Sequence, residues 1–448
     1  MVYCEFYGKR IKLVKKTIFK ISKFFLIVAT AFLCAFPTFS LEYEQVIDSL
    51  SSAFSTLIDS NEGMTTFRTL YIPCGGRSEA LGSAFTALAD DVSYIEYNAA
   101  ASSILDESEL GVFHNSWISD ASMDTVSYAY RHNDFGFGAQ VKCFYVEFIE
   151  RDFFEDVAKD YYSETTATMN FSYNFFSGYD FKGIAIGLNL KGAYRDMPDY
   201  TDNDTGKLID NSGLMQSAFA FMADFGILMR FNLWKYYSSR EPNFRIGISA
   251  NNFGCAFTNL GSTGIQLDDP LPSRFAFGLS YKPVMPLVIS FEFQQPINLF
   301  NPSLSEKWAL GSGFLVQCTD FFALEGGFLL RGASPRFTMG AEFIINSYYI
   351  NVNYTFDATS SAAPVNRISV SAKVTLGDGG RAEQQKIIDA LYIEGLNYYA
   401  HGDMEKAINS WQKILEINKF FEPARKGIAS AKTTLKLQKE ILQANFFD

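Results

Sequence analysis

The sequence predicts an all-β transmembrane barrel of about 14 antiparallel strands, with an N-terminal hatch inside the lumen and a small α-helical domain after the last strand. Three observations predict it. Short runs of period-2 alternation recur from about residue 109 to 376. In "GIAIGLNLKGAY", Ile184, Ile186, Leu188 and Leu190 share one face, while Gly183, Ala185, Gly187, Asn189 and Lys191 share the other. Aromatic residues make up 16% of the 448, with 44 Phe and 24 Tyr, and they crowd the apolar faces as interfacial girdles do. The first 40 residues read as an export signal.

That leader comprises a basic stretch, "KRIKLVKKTIFKISK", and an apolar run, "FFLIVATAFLCAF", of about 13 residues. The run is shorter than the roughly 20 residues a spanning helix needs. "PTFS" and acidic "LEYE" follow, which places cleavage near Ser40. Cys34 raises the alternative of a lipidated N-terminus, but Leu33 before it is not small. Residues 1–40 hold seven Lys/Arg against one Glu, net +6, so the remainder of a chain at −11 carries −17. An acidic body argues against a nucleic-acid partner. Residues 41–108 form the N-terminal helix and hatch, 109–376 the barrel, and 381–448 the helical domain.

The strands follow in order. "VSYAYR" presents Val126, Tyr128 and Tyr130 on one face, and "FGFGAQVK" presents Phe135, Phe137, Ala139 and Val141. "TMNFSYNFF", "FRIGISAN", "RFAFGLSY", "LVISFEFQ" and "RFTMGAEFII" repeat the pattern, and "YINVNYTF" and "ISVSAKVTL" close it. Weaker runs near 110–117, 219–233, 308–317 and 321–330 complete the count. Most runs are about 9–11 residues long, the length of a tilted bilayer-crossing strand. A soluble sandwich would alternate in the same way. The connections separate the two readings: the third, fifth, seventh and ninth are long, while "HND", "SGYDFK", "KPVM", "CTD" and "NS" are short, with the sixth, "KYYSSREPN", slightly off. Barrels have that parity and sandwiches do not. Closure follows, because an open sheet edge in hydrocarbon would strand polar groups.

A 14-stranded barrel is wider than side chains alone can fill. Ahead of it, "EYEQVIDSLSSAFSTLID" reads as an amphipathic helix with Val46, Leu50, Phe54 and Leu57 on one face. "CGGRSEALGSAFTALADDVSYIEYNAAASS" follows, rich in small residues suited to packing inside another structure. Here the chain resembles the FadL-type long-chain fatty acid transporters, and more closely an uncharacterised spirochaete (treponemal) family related to them. That family's hatch carries G-x-A-x-T-A-x-A-D-D…Y-x-N-P-A. Gly82, Ala84, Thr86, Ala87, Ala89, Asp90, Asp91, Tyr97 and Asn98 match it, and Ala99 stands where the family often has Pro. The resemblance spans about residues 67–376. It implies a passive outer-membrane route for hydrophobic molecules such as long-chain fatty acids, with Gly75, Gly76, Arg77 and Asn98 at the hatch.

A fatty acid needs apolar shelter for its tail and a few cationic groups for its carboxylate. By parity Lys191, Arg245, Arg336 and Lys373 face the lumen, opposed by Glu292, Glu325 and Glu342. Lumen charges also pair with one another or with a plug, and that reading stands beside ligand binding for each of them.

The last segment is helical by period. Gly395, Tyr398, Gly402, Ala407 and Trp411 fall at tetratricopeptide spacing, although Lys419 stands where that repeat usually has Pro. One such repeat is too little for independent stability, so the segment is expected to dock on the barrel or on a periplasmic protein. A plain helical hairpin is the alternative. An even strand count returns the chain to its starting side, the periplasm.

No catalytic or cofactor chemistry is legible. His114, His132 and His401 are scattered, and "GGRSEALGS" lacks the Lys of a phosphate loop. No Gly-x-Ser-x-Gly elbow occurs. Asp196, Asp199, Asp202, Asp204 and Asp210 crowd one loop without calcium-loop spacing. Cys74, Cys143, Cys255 and Cys318 suggest no specific pair. Two function classes remain: a transporter of fatty acids or similar molecules, and a structural or assembly barrel whose ligand is another protein.

Overall fold

The structure is a computed structural model that describes residues 52, 54–117, 120–151, 156–179, 181–199, 209, 212–213, 217–258, 265–266, 269–357 and 367–445. The expected leader, Val46 and Leu50 of the expected N-terminal helix, and Asp202, Asp204 and Asp210 lie outside the described residues. Of that helix the structure describes Phe54 and a single tight turn, Ser55–Leu57.

Fourteen strands form the wall: β1 Glu109–Ser116, β2 Ser122–His132, β3 Phe135–Arg151, β4 Asp156–Ser177, β5 Lys182–Asp196, β6 Ala218–Phe231 and β7 Phe244–Thr258. They continue as β8 Arg274–Val284, β9 Leu287–Pro296, β10 Ala309–Thr319, β11 Phe322–Arg331, β12 Ser334–Ile345, β13 Tyr348–Asp357 and β14 Arg367–Thr375. Each pairs antiparallel with its sequence neighbours, and β1 pairs with β14 from Glu109↔Thr375 to Ser116↔Ile368. The sheet is therefore closed, and every strand finds two ladders. A two-residue bridge, Ile265–Gln266, extends β7.

The period-2 pattern decides which way each face points. Val126, Phe171, Leu190, Ile248, Phe277, Phe314, Met339 and Ile368 are 40–67% exposed on the outside. Ser127, Asn170, Asn189, Ser249, Glu292 and Thr338 point inward and are buried. The oily face of Gly183–Tyr194 thus turns outward, as a lipid-facing wall requires. Among the described residues no helix is long and apolar enough to cross a membrane. Asn133 and Asn346 take positive φ (53° and 54°) in the tight turns after β2 and β12, where few other residues fit.

Two expectations need correction. Connection parity is not strict: 232–243 is long, the third connection shortens to 152–155, and 332–333 is a two-residue turn. Gly332 sits beside the backbone of Leu57, so a long loop there would collide with the N-terminal segment. Strands β3 to β7 run 14–22 residues, more than a crossing needs. Their extra length lies at the odd-connection end, so one side of the wall stands taller than the other.

After Thr375 come three helices, α1 Arg381–Ala400, α2 Met404–Ile417 and α3 Glu422–Asn445. α1 stops at Gly402, whose φ of +87° lets the Gly402 and Asp403 amides cap the carbonyls of Tyr399 and Tyr398. Trp411 is 2% exposed and lies on Gly395, where an added Cβ would stand 2.3 Å from the indole nitrogen. Ala407, Ile414, Phe421, Ala424 and Ile428 complete that core, with Tyr398 packed at its edge. The helices dock at the even-connection end. Phe421 meets Tyr179 edge-on at 5.2 Å, Arg240 pairs with Asp389 at 2.8 Å, and Arg381 donates to the carbonyls of Arg131 and Leu105.

Candidate functional site

The segment from about residue 64 to 108 lies inside the barrel and runs from the odd-connection end to the even one. It enters with the Thr66 amide donating to the Pro270 carbonyl and leaves with the Ser108 amide donating to the Gly377 carbonyl. Its path is a series of short turns, Arg68–Tyr71, Arg77–Ala80, Val92–Glu96 and Ala101–Ile104, interrupted by Pro73 and by Gly75, Gly76 and Gly82 at positive φ. Cys74, Val92, Tyr94, Ile95, Ala100 and Ile104 gather with wall residues Phe113, Ala129, Ala185 and Leu228 into an apolar core within the lumen.

Wall glycines let this backbone lie directly on the sheet. A Cβ at Gly187 would stand 2.0 Å from the Ala99 carbonyl oxygen, one at Gly247 2.2 Å from that of Thr86, and one at Gly327 2.1 Å from the Gly82 nitrogen. The alternation reading placed Gly187 on the lumen face but missed this contact. Glycine on that face, strand after strand, is its only trace in the sequence.

Charges tie the segment to the wall. Lys373 meets Asp91 at 2.6 Å and Glu342 at 3.3 Å, Arg367 meets Glu79 at 3.1 Å, and Lys142 meets Glu96 at 2.8 Å. Arg77 reaches Asp90 at 3.3 Å and Glu325 at 3.7 Å. The Glu292 carboxylate accepts from the Phe85 and Thr86 amides, each at 2.8 Å. Asn98 donates to the carbonyls of Thr86 and Ile227 at 2.8 and 3.1 Å, bridging segment and wall.

The residues read from sequence fall as follows. Gly75 and Gly76 carry φ of +105° and +69° and abut Ser369 and Ser371 of β14, with no room for a Cβ. All four lumen cations face inward and all four are engaged. Lys191 binds Asp224 at 2.6 Å and the Asn252 amide oxygen at 2.9 Å. Arg336 binds Asp357 at 3.1 Å, Arg245 donates to the Leu88 carbonyl, and Lys373 is paired as above.

Above the glycine contacts, towards the odd-connection end, a chamber remains. Tyr71, Glu79, Glu96, Gln294 and four arginines, Arg274, Arg331, Arg336 and Arg367, line it. It leaves about 20 Å³ in which a water-sized group can sit. A second recess of similar size lies beside it, with Lys142, Lys191 and Asn252 in its wall. Both spaces are small, and their walls are mixed: Leu70, Ile72, Pro73, Tyr97 and Leu329 share the chamber with the arginines. Arg274 and Arg367 escaped the sequence reading although each immediately precedes a legible outward residue, Phe275 and Ile368, and so takes the inward face. Among the described residues no three His, Cys, Asp or Glu side chains gather as metal ligands, and the described cysteines are unpaired.

Comparison with known proteins adds the following. A Treponema pallidum (strain Nichols) protein is 31% identical over 389 residues, covering 85% of each chain. A second from the same organism is 28% identical over 389 residues, covering 85% of this chain and 78% of its own. Among solved structures, the Pseudomonas putida toluene transporter TodX aligns at 13% identity with a TM-score of 0.46, covering 68% of this chain and 98% of its own. A Pseudomonas aeruginosa FadL homologue aligns at 10% with a TM-score of 0.40, covering 68% and 97%. The family model for UPF0164, described as an uncharacterised protein family, matches residues 45–379, and the chain belongs to that family.

Proposed function

We propose that this chain is a bacterial outer-membrane barrel giving passive passage to long-chain fatty acids or similar hydrophobic small molecules, with the inner segment as its hatch and the helical tail in the periplasm. The observation that carries the reading is a closed, lipid-facing barrel whose lumen is stoppered by its own N-terminal segment beneath a cationic chamber. An open pore would offer a fatty tail only water, whereas a stoppered one passes a molecule by capture and release. Gly75, Gly76, Arg77 and Asn98 are the joints of the hatch. Of the four lumen cations, Arg336 and Lys191 border open space, and Arg245 and Lys373 hold the inner segment. No step of this function requires catalysis or a cofactor.

A second reading, an assembly barrel that binds protein partners, is favoured by one observation. The docked tail leaves Ile393 and Leu396, neighbours on one side of α1, 58% and 43% exposed. A tetratricopeptide-like tail would present such a face to a periplasmic protein. Binding of a radiolabelled long-chain fatty acid to the purified chain in detergent separates the two. Saturable binding is expected, and its absence would transfer the case to the assembly reading.

A further inference from the structure

We infer that Arg274 and Arg331, with Tyr71 between them, form a binding site for a compact oxyanion, a carboxylate or a phosphate. Both guanidiniums stack on the Tyr71 ring, at 5.6 and 4.7 Å from its centre. Neither has a carboxylate partner among the described residues. Arg274 donates to the Glu96 carbonyl at 3.2 Å, and Arg331 to the Gln294 amide oxygen at 3.1 Å. The nearby carboxylates are already committed: Glu79 to Arg367, Glu96 to Lys142, Asp357 to Arg336, Glu306 to Arg68, and Glu292 to the Phe85 and Thr86 amides.

Among the residues that line the chamber the unmet groups are donors, while elsewhere in the lumen acceptors are unmet as well, Asn115 Oδ1, Asn351 Oδ1, Asn353 Oδ1 and Glu325 Oε1 among them. Nε of Arg274, Nε of Arg331, Nε and Nη1 of Arg367 and the Tyr71 hydroxyl are buried without a partner. Arg274 is 7% exposed and Arg367 3%. Here one chamber collects N–H and O–H donors around two guanidiniums that no carboxylate reaches by a hydrogen bond, and buried donors of this kind are costly to leave unmet. An acceptor-rich anion satisfies both deficits, and guanidinium is the group that grips such anions by two parallel bonds. The available 20 Å³ admits only a compact group and not a whole organic molecule.

The anion has two sources: a free small anion, or the head of an amphiphile whose tail lies elsewhere. Only the second rests on the transport reading. The test uses the folded chain in a non-ionic detergent at constant ionic strength, titrated calorimetrically with acetate, inorganic phosphate, octanoate and, as an uncharged control, octanol. Binding of at least one oxyanion is expected, weakened roughly tenfold or more in Arg274→Gln and Arg331→Gln, with octanol unaffected. Arg274→Lys and Arg331→Lys keep the charge and remove the fork, so they should fold and bind with intermediate affinity. Absence of oxyanion binding by the unmodified chain, or equal affinity in the Gln variants, overturns the site. Acetate or phosphate binding without octanoate binding upholds the site and sinks the fatty-acid reading. Octanoate binding indifferent to both arginines does the reverse.

Discussion

Gly187→Ala tests how the inner segment is held. The added Cβ would stand 2.0 Å from the Ala99 carbonyl oxygen and 2.3 Å from its carbon. Ordinary C···O contacts need about 3.3 Å, so the segment must retreat by over an ångström. Overpacking of this kind costs about 1–3 kcal/mol. The retreat also draws the carbonyl away from the Asn170 amide that donates to it at 2.8 Å. A buried acceptor left alone adds about 1–3 kcal/mol. Even about 2 kcal/mol raises the undocked fraction roughly thirtyfold. Cys74 reports the event: it is fully buried in the core of the inner segment, so it reacts on undocking. The assay is maleimide labelling of Cys74 in a chain whose other cysteines are Ser. Gly192→Ala on the same strand is the control, because its added Cβ meets only a Phe219 ring atom at 3.6 Å. Equal labelling rates for the two variants, in barrels that both stay folded, would refute the close-contact argument.

Four further outcomes are expected. Lys373→Met leaves Asp91 and Glu342 buried without their cation and should cost about 3–5 kcal/mol, seen as a lowered unfolding temperature and faster Cys74 labelling. Ile248→Arg puts a charge on the outward face, where Ile248 is 47% exposed, and should cost about 2–4 kcal/mol in equilibrium folding into lipid bilayers if that face meets acyl chains. Trp411→Ala empties the centre of the tail and should cost about 3–5 kcal/mol, releasing the helices to protease while the barrel keeps its sheet signal in circular dichroism. The Asp378 carboxylate accepts from the Gly380 and Ala382 amides at the start of α1, which holds it below the ordinary carboxyl range. That contribution is complete above the ordinary range and lost as pH falls through the depressed value. Acid fraying of the first turn of α1 should therefore appear by hydrogen exchange and be absent in Asp378→Asn.

Alternation carried most of the fold. All 14 strands were legible because each has one face in contact with lipid and one with a polar interior, and that contrast is written locally every second residue. The strand ends were less legible. The surplus length of β3 to β7 and the bulge where Asn251 and Asn252 oppose Asp224 depend on register with neighbours, which no single run contains. The small-residue character of the inner segment was visible, but its route was not. Gly187 reads as one more lumen glycine until Ala99 is found lying on it.

The four lumen cations show where local reading stops. Parity fixes that Lys191, Arg245, Arg336 and Lys373 point inward, because the pleat has a period of two. It says nothing about what stands opposite, and their partners lie from 21 residues away (Asp357) to 282 (Asp91) along the chain. Arg274 and Arg331 also find distant partners, but these are the Glu96 carbonyl and the Gln294 amide oxygen and not carboxylates. The sequence by itself determined the barrel, its lipid-facing side and the helical tail, since each rests on periodicities a few residues long. Only the tertiary structure decided which charges are spent on holding the inner segment and which face an unfilled chamber, because pairing across a lumen is set by distance in space between strands remote in sequence.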